Sequence, residues 1–190
     1  MHRFFPALLL LTLILGACSP SPSLLSTETA PAPTISLATE PTTLTPVGDI
    51  NCGYQWAYQD LPEVSAQFDQ SVKDLIPNSN SHATAFGENC IGADNQVVTF
   101  LAMETDFYVI APVGTLEDHQ SFGNWAAGVM QVVNNLPIEM LAGPMPGFVE
   151  FRFEKSTSES LILRIPIQQY QETAEGKIGE ELFDLFYTKP

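Results

Sequence analysis

The segment from Val97 to Ile110 constrains the fold most strongly, because its side chains alternate in character at every second position. One set holds Leu101, Met103, Phe107 and Val109, and the other holds Phe100, Glu104, Asp106 and Tyr108. A period of two is typical of a β-strand whose two faces meet different surroundings. The segment therefore predicts a sheet with one buried face and one more polar face.

Two other segments have the spacing of amphipathic helices. The first is expected to begin at Asp60, which would act as its cap, and to end at Pro77. Its apolar positions are Leu61, Val64, Phe68, Val72, Leu75 and Ile76. The second is expected to begin after a cap at Thr115 and to end at Pro137. Its apolar positions are Phe122, Trp125, Ala126, Val129, Val133 and Leu136.

Three further strands are predicted, at residues 82–90, 149–154 and 161–170, together with a short C-terminal helix near Ile178. Pro166 places the last of these strands at a sheet edge or marks a bulge in it. The order α-β-β-α-β-β predicts an α+β fold, a two-layer sandwich with a four-stranded antiparallel sheet and helices on one face.

The aromatic residues Tyr54, Trp56 and Tyr58 stand at alternate positions just before the first helix. They could belong to a short strand or to the lead-in of that helix. Their rings could stack on a sugar or a peptide, but we expect them to pack over the core, because buried aromatic rings stabilise small domains.

Residues 18–48 have a different composition from the rest of the chain. Ser, Thr and Pro dominate, no apolar periodicity is present, and the prolines exclude a regular helix or sheet ladder. This segment is expected to be a disordered tether. The single α+β domain then occupies residues 49–190.

A short apolar run at the N-terminus ends in Leu15-Gly16-Ala17-Cys18. This motif resembles the lipobox of bacterial lipoproteins, and residues 1–17 resemble a lipoprotein signal peptide. The resemblance implies cleavage after Ala17 and a diacylglyceryl group on the Cys18 thiol. It also implies a membrane partner and an extracytoplasmic location, on the outer face of the cytoplasmic membrane or on an outer membrane.

The chain carries 22 acidic residues against 7 Lys and Arg residues, and its formal net charge is −15. Such a surface repels phosphate backbones, so nucleic acid is not an expected partner. Exported proteins meet oxidising conditions, and with Cys18 assigned to the lipid, Cys52 and Cys90 are expected to form a disulfide. That bond would stabilise the fold by about 3–4 kcal/mol in the chain-entropy description.

The polar face of the predicted sheet is the candidate ligand site. Its residues are Glu104, Asp106, Tyr108, Glu150, Arg152, Glu154 and Arg164. They could form a platform for a small molecule or a protein partner. We expect them instead to form a solvated ladder of cross-strand ion pairs, because antiparallel sheets commonly leave one face in water.

No catalytic or metal-binding motif is present. The chain has no GxSxG, SxxK or HExxH pattern and no EF-hand loop, and His82 and His119 lack ligand spacing. No cofactor is therefore expected. The sequence favours a non-enzymatic binding or envelope-interaction module, with an extracytoplasmic hydrolase that uses carboxylates such as Glu104 and Asp106 as the alternative.

Overall fold

The computed structural model describes residues 52–188. The signal peptide, Cys18 and the tether all lie outside the described residues. The elements in chain order are the strand β1 (Gly53–Asp60), the helix α1 (Pro62–Leu75), the strands β2 (Asn80–Ile91) and β3 (Val97–Pro112), the helix α2 (His119–Asn134), a short 3-10 helix (Ile138–Met140), the strands β4 (Met145–Glu154) and β5 (Ser160–Pro166), and the helices α3 (Ile167–Thr173) and α4 (Gly179–Phe186).

The five strands form one mixed sheet in the order β1-β2-β3-β4-β5. Neighbours are antiparallel except β3 and β4, which are parallel. The predicted α+β class is confirmed, but the predicted four-stranded antiparallel sheet is wrong on both counts. The segment that contains Trp56 is a fifth strand, and α2 carries the chain back along the sheet so that β4 starts at the same end as β3.

The core lies between the helices and one face of the sheet. Its sheet residues are Ala83, Phe107, Val109, Ala111, Val149, Phe151, Phe153, Leu161, Leu163 and Ile165, all nearly inaccessible to solvent. Phe122 of α2 stacks on Phe153 of β4 with ring centroids 4.1 Å apart. Val64, Phe68 and Val72 of α1 belong to the same buried cluster. The helices therefore pack against the sheet face that carries these core residues.

Both predicted helix caps are wrong. Asp60 is the last residue of β1, and α1 starts at Pro62 without a side-chain cap. The Thr115 hydroxyl group donates a hydrogen bond to the carboxylate of Glu117, in the loop that precedes α2. The cap of α2 is instead Asp118, whose carboxylate accepts a hydrogen bond from the Ser121 amide at 3.1 Å.

The predicted strand 161–170 is shorter than expected. It ends at Pro166, and the following residues form α3, because Ile167, Tyr170 and Ala174 reach the core with helical rather than alternating spacing. The predicted C-terminal helix is present as α4. Within residues 52–188, no helix is both long and apolar enough to cross a membrane.

Cys52 and Cys90 lie at disulfide-bonding distance, with their Cα atoms 5.1 Å apart. Cys52 directly precedes β1, and Cys90 lies near the end of β2, opposite Tyr54. The pairing expected from the sequence therefore matches the observed positions. The bond joins the outermost strand to its neighbour.

Candidate ligand-binding face

The side of the sheet that points away from the helices is called the open face here. Cross-strand partners share a face, so the register defines its rows. One row holds Asp60, Thr84 and Asp106, the next holds Tyr58, Phe86 and Glu104, and a third holds Trp56, Glu88 and Leu101. On the other side of Asp106 lies the row His82, Tyr108, Glu150 and Arg164.

All seven residues proposed as a ligand face lie on the open face. Glu104, Asp106 and Tyr108 come from β3, Glu150, Arg152 and Glu154 from β4, and Arg164 from β5. They do not converge into one cluster. They spread over three strands, and the two arginines lie in the β4–β5 half.

Both arginines are already engaged with neighbouring acids. Arg164 Nε donates to Glu150 Oε2 at 2.9 Å, and its guanidinium carbon lies 4.1 Å from the centre of the Phe148 ring. Arg152 Nε lies 3.1 Å from Glu154 Oε1. These exposed pairs contribute at most about 1 kcal/mol each to stability. The β4–β5 half of the open face is thus internally neutralised.

Asp106 differs from the other acids on this face because only 1 % of its surface is accessible to solvent. It forms no ion pair with any described residue. Its one hydrogen bond comes from the Phe148 amide, at 3.3 Å. Burial, reinforced by the nearby charges of Glu104 and Glu150, raises the pKa of Asp106 to about 6, although the Phe148 amide and Arg164 act in the opposite direction.

A bulge in β4 makes room for the Asp106 carboxyl group. The register between β3 and β4 shifts across Thr105 and Phe107, so Gly147 and Phe148 together face Asp106. A Cβ atom on Gly147 would lie 2.3 Å from Asp106 Oδ1 and 2.4 Å from the Thr105 carbonyl oxygen. Glycine is therefore required beside this carboxyl group.

Thr84 faces Asp106 from β2 and is also buried. Its hydroxyl group has no hydrogen-bond partner among the described residues. Buried polar groups normally have hydrogen-bond partners, so an unpartnered one requires an explanation. The row through Asp106 thus holds two under-satisfied polar side chains on a face that no helix covers.

The aromatic strip, defined as Tyr54, Trp56, Tyr58 and Phe86, lies at the β1 edge of the open face. The first three side chains are 66 %, 60 % and 64 % exposed. Phe86 stacks on Trp56 with centroids 5.2 Å apart and contacts Tyr58 at 5.0 Å. The expectation that these rings pack over the core is wrong, because β1 is an edge strand and its rings point away from the helical layer.

The sequence pattern places Leu101 on the same face of the strand as Phe107, and this prediction is also wrong. The register places Phe86 opposite Glu104 but Gly87 opposite Ala102, so Met103 is an extra residue in β3. This bulge inverts the alternation before it and moves Leu101 to the open face, where it is 61 % exposed. An apolar side chain thus adjoins the aromatic strip.

Neither His82 nor His119 belongs to a metal cluster. His82 stacks on Tyr108 at 4.9 Å on the open face, and His119 stacks on Phe183 at 4.2 Å in the helical layer. Among residues 52–188, no group of three or more His, Cys, Asp or Glu side chains could hold a metal ion.

Two concave regions are found within residues 52–188. A cavity of about 320 Å³ adjoins the core between β3, α2 and α3, and no ionisable side chain lines it. A wider cleft of about 610 Å³ includes Glu117 and His119. Asp106 itself lines neither of them, although Thr105 and Gly147 beside it line the first cavity.

Sequence reasoning missed Thr84, Phe86, Gly147 and Phe148 as members of this face. Thr84 and Phe86 share the parity of His82 in the predicted strand 82–90, so that alternation could have indicated them. Gly147 and Phe148 lie in the β4 bulge, for which the sequence has no signal besides the glycine. The completed face is a broad surface suited to recognition by stacking, apolar contact and charge.

No family model matches the chain, and no curated protein or solved structure matches it either. The geometry of the open face is therefore the basis on which a function is proposed.

Proposed function

We propose that the protein is a lipid-anchored extracytoplasmic lipoprotein of bacteria that acts as a non-enzymatic binding module through its open face. One observation carries the binding role: the open face of a five-stranded sheet displays the aromatic strip beside acidic side chains with no helix above it. Exposed apolar patches bordered by polar residues are typical of interaction surfaces. Tyr and Trp are also the residues that contribute most at binding interfaces.

The lipobox motif and the Ser/Thr/Pro segment support the proposed location. The diacylglyceryl group carries two acyl chains, which anchor a protein stably, whereas a single chain does not. The segment from Cys18 to residue 48 would then hold the domain at a distance from the lipid surface. A Cys18→Ser variant is expected to leave the membrane fraction; continued sedimentation with membranes would refute the anchor.

One observation favours a second candidate, an enzyme that uses Asp106 as a general acid or base. A carboxyl group with a raised pKa is common in active sites. Against this, only 1 % of Asp106 is accessible to solvent, and its carboxyl group does not itself line either cavity. Binding is therefore the better supported function.

The binding role can be tested by comparing variants of two surfaces. Trp56→Ala and Tyr58→Ala change the open face, and Leu185→Ala is a control because Leu185 is an exposed apolar residue of α4. Full-length proteins carrying each change would be used to capture partners from solubilised envelope fractions, with quantitative mass spectrometry as the measurement. Partners that depend on the open face should be lost only with the first two variants.

Each variant should keep the thermal unfolding midpoint of the parent protein within a few degrees, because these side chains are mostly exposed. A set of partners that is retained by both open-face variants would contradict binding through this face. Turnover of an envelope substrate that disappears in Asp106→Asn would instead support the second candidate.

A further inference from the structure

Among the described residues, the Lys and Arg side chains all form ion pairs, whereas several acidic side chains form none. Every Lys and Arg side chain in this part of the chain contacts a carboxylate; these are Lys73, Arg152, Lys155, Arg164 and Lys177. In contrast, Asp60, Glu88 and Glu104 on the open face form no ion pair within residues 52–188. No Lys or Arg within residues 52–188 pairs with these three acids, so their carboxylates are available to cationic groups of a ligand.

These acids are interleaved with the aromatic strip. Asp60 lies in the row beside Tyr58 and Phe86, Glu104 shares their row, and Glu88 lies opposite Trp56. Strands are about 4.8 Å apart, and alternate residues on one face are about 7 Å apart. A single extended ligand could therefore contact rings and carboxylates together.

The β4–β5 half of the open face contains a cation that lies over an aromatic ring beside a carboxylate, whereas the β1–β3 half has rings and carboxylates without a cation. In the β4–β5 half the Arg164 guanidinium lies over the Phe148 ring and pairs with Glu150. A cation above an aromatic ring is attracted by the ring's π electrons, and the adjacent carboxylate adds charge-assisted hydrogen bonds. Around Trp56, rings and carboxylates are present in the same way, but no cation is supplied by the described residues.

We propose that the β1–β3 half of the open face binds an extended basic segment of a partner protein. Its Lys or Arg side chains would lie over the aromatic strip and pair with Glu88, Glu104 and Asp60. The buried Asp106 adds a further negative charge beneath this surface. The inference rests on the proposed binding function and specifies the chemistry of the partner.

A neutral sugar chain is a weaker explanation of the same surface. Rings alone would stack on a sugar, and the three unpaired carboxylates would then have no cationic partner. A second copy of this chain fits less well, since two surfaces of the same negative charge repel each other. Charge complementarity thus favours a basic segment over both.

The test uses the full-length chain and three probes: a short alternating lysine–serine peptide, the matching glutamate–serine peptide and a soluble β-linked oligosaccharide. Binding is measured by calorimetric titration at low and moderate salt, and the contacted residues are identified by amide chemical-shift changes. The lysine peptide should bind with shifts centred on Trp56 and Phe86. Its affinity should fall as salt rises, because the contact depends on opposite charges.

The decisive comparison uses two double variants with equal loss of charge. Replacing Glu88 and Glu104 by Gln should weaken the lysine peptide about tenfold or more, as expected when charge-assisted contacts are lost. The control replaces Glu180 and Asp184 of α4, in the helical layer, by Gln and Asn. It should change the affinity by less than about twofold, because exposed charges beyond a Debye length are largely screened.

Equal weakening by both double variants would show only general charge attraction and would overturn the inference. Preferential binding of the oligosaccharide at Trp56 would also overturn it while leaving the proposed binding function intact. Self-association through β1, seen as a concentration-dependent dimer in sedimentation, would likewise overturn the inference and leave the proposed binding function intact. Shifts confined to the open face with the lysine peptide, lost only in the Glu88 and Glu104 variant, would establish it.

Discussion

Replacing Asp106 by Asn tests the energetics of the open face directly. The carboxyl group is almost inaccessible, accepts one long hydrogen bond and has two acidic neighbours, Glu104 and Glu150. Its pKa rises from 3.8 in the unfolded reference to about 6 in the folded protein. Between these values the folded state binds more protons than the unfolded state, so stability falls as pH rises.

The size of the effect follows from the change in pKa. A rise of about two pKa units corresponds to about 3 kcal/mol, which is an upper limit for what ionisation of Asp106 costs the folded state above pH 6. Asn has nearly the same shape and carries no charge, although its amide needs its own hydrogen bonds. We therefore expect Asp106→Asn to be more stable than the parent at pH 7.5 by about 1–2 kcal/mol.

Urea unfolding at pH 4, 5, 6 and 7.5 measures this difference for the two proteins. As the pH falls towards 4, the folded parent also carries a neutral side chain at this position, so the difference between the two free energies of unfolding should shrink. Asp184→Asn is the control, since it removes an exposed carboxylate of α4 and should show no such convergence. A stability difference that is constant over the pH range, or a variant that is less stable at pH 7.5, would refute the reasoning.

Three further predictions concern other parts of the fold. Partial burial opposes ionisation of Asp69, but the hydrogen bonds to its carboxylate outweigh this effect and lower its pKa. The stability that ionised Asp69 contributes is therefore lost as the pH falls below about 4. Asp69→Asn should lower the free energy of unfolding by about 1 kcal/mol at pH 7, measured by urea unfolding. Gly147→Ala should destabilise the protein by about 2 kcal/mol or more in thermal melts, since its Cβ would overlap Asp106 Oδ1; unchanged melting would mean that the bulge relaxes. Reduction of the bond between Cys52 and Cys90 should lower stability by about 3 kcal/mol, and non-reducing peptide mapping that finds both thiols free would disprove the pairing.

Much of the layer structure was predictable from local patterns. The alternation around Phe107 and the helical spacing of Phe68 and Phe122 identify the elements and the sides that they bury. The class of the fold follows from their order. The parallel pairing of β3 and β4 does not follow, because it depends on the path that α2 takes back across the sheet.

The wrong predictions about strand faces and element boundaries have a few physical causes. Bulges near Met103 and Gly147 add one residue to a strand, and each changes which side chains face the core without altering local composition. The strand β1 lacks a buried face, so its alternation of aromatic and polar residues could not distinguish a strand from a helix lead-in. Pro166 could end a strand or lie within an edge strand, and only packing of Tyr170 in the core decides for a helix.

For the candidate face, the alternation of side chains along a strand was sufficient to place Glu104, Asp106 and Tyr108 on the same side of the sheet. It could not show that Asp106 is buried while Glu104 remains accessible, because that difference arises from the backbone of a distant strand. The aromatic strip was visible in the sequence as three alternate rings. Its exposure depends on β1 being the outermost strand, which is a property of the whole sheet.

The covalent link between Cys52 and Cys90 has a mechanical consequence. The N-terminal part of the chain joins the described fold at Cys52, so tension applied from that side arrives first at the edge strand. Hydrogen bonds of an edge strand that is pulled from its end would break one after another. With the link in place, the load passes directly into β2, and β1 with its aromatic rings stays in register while the chain is under force.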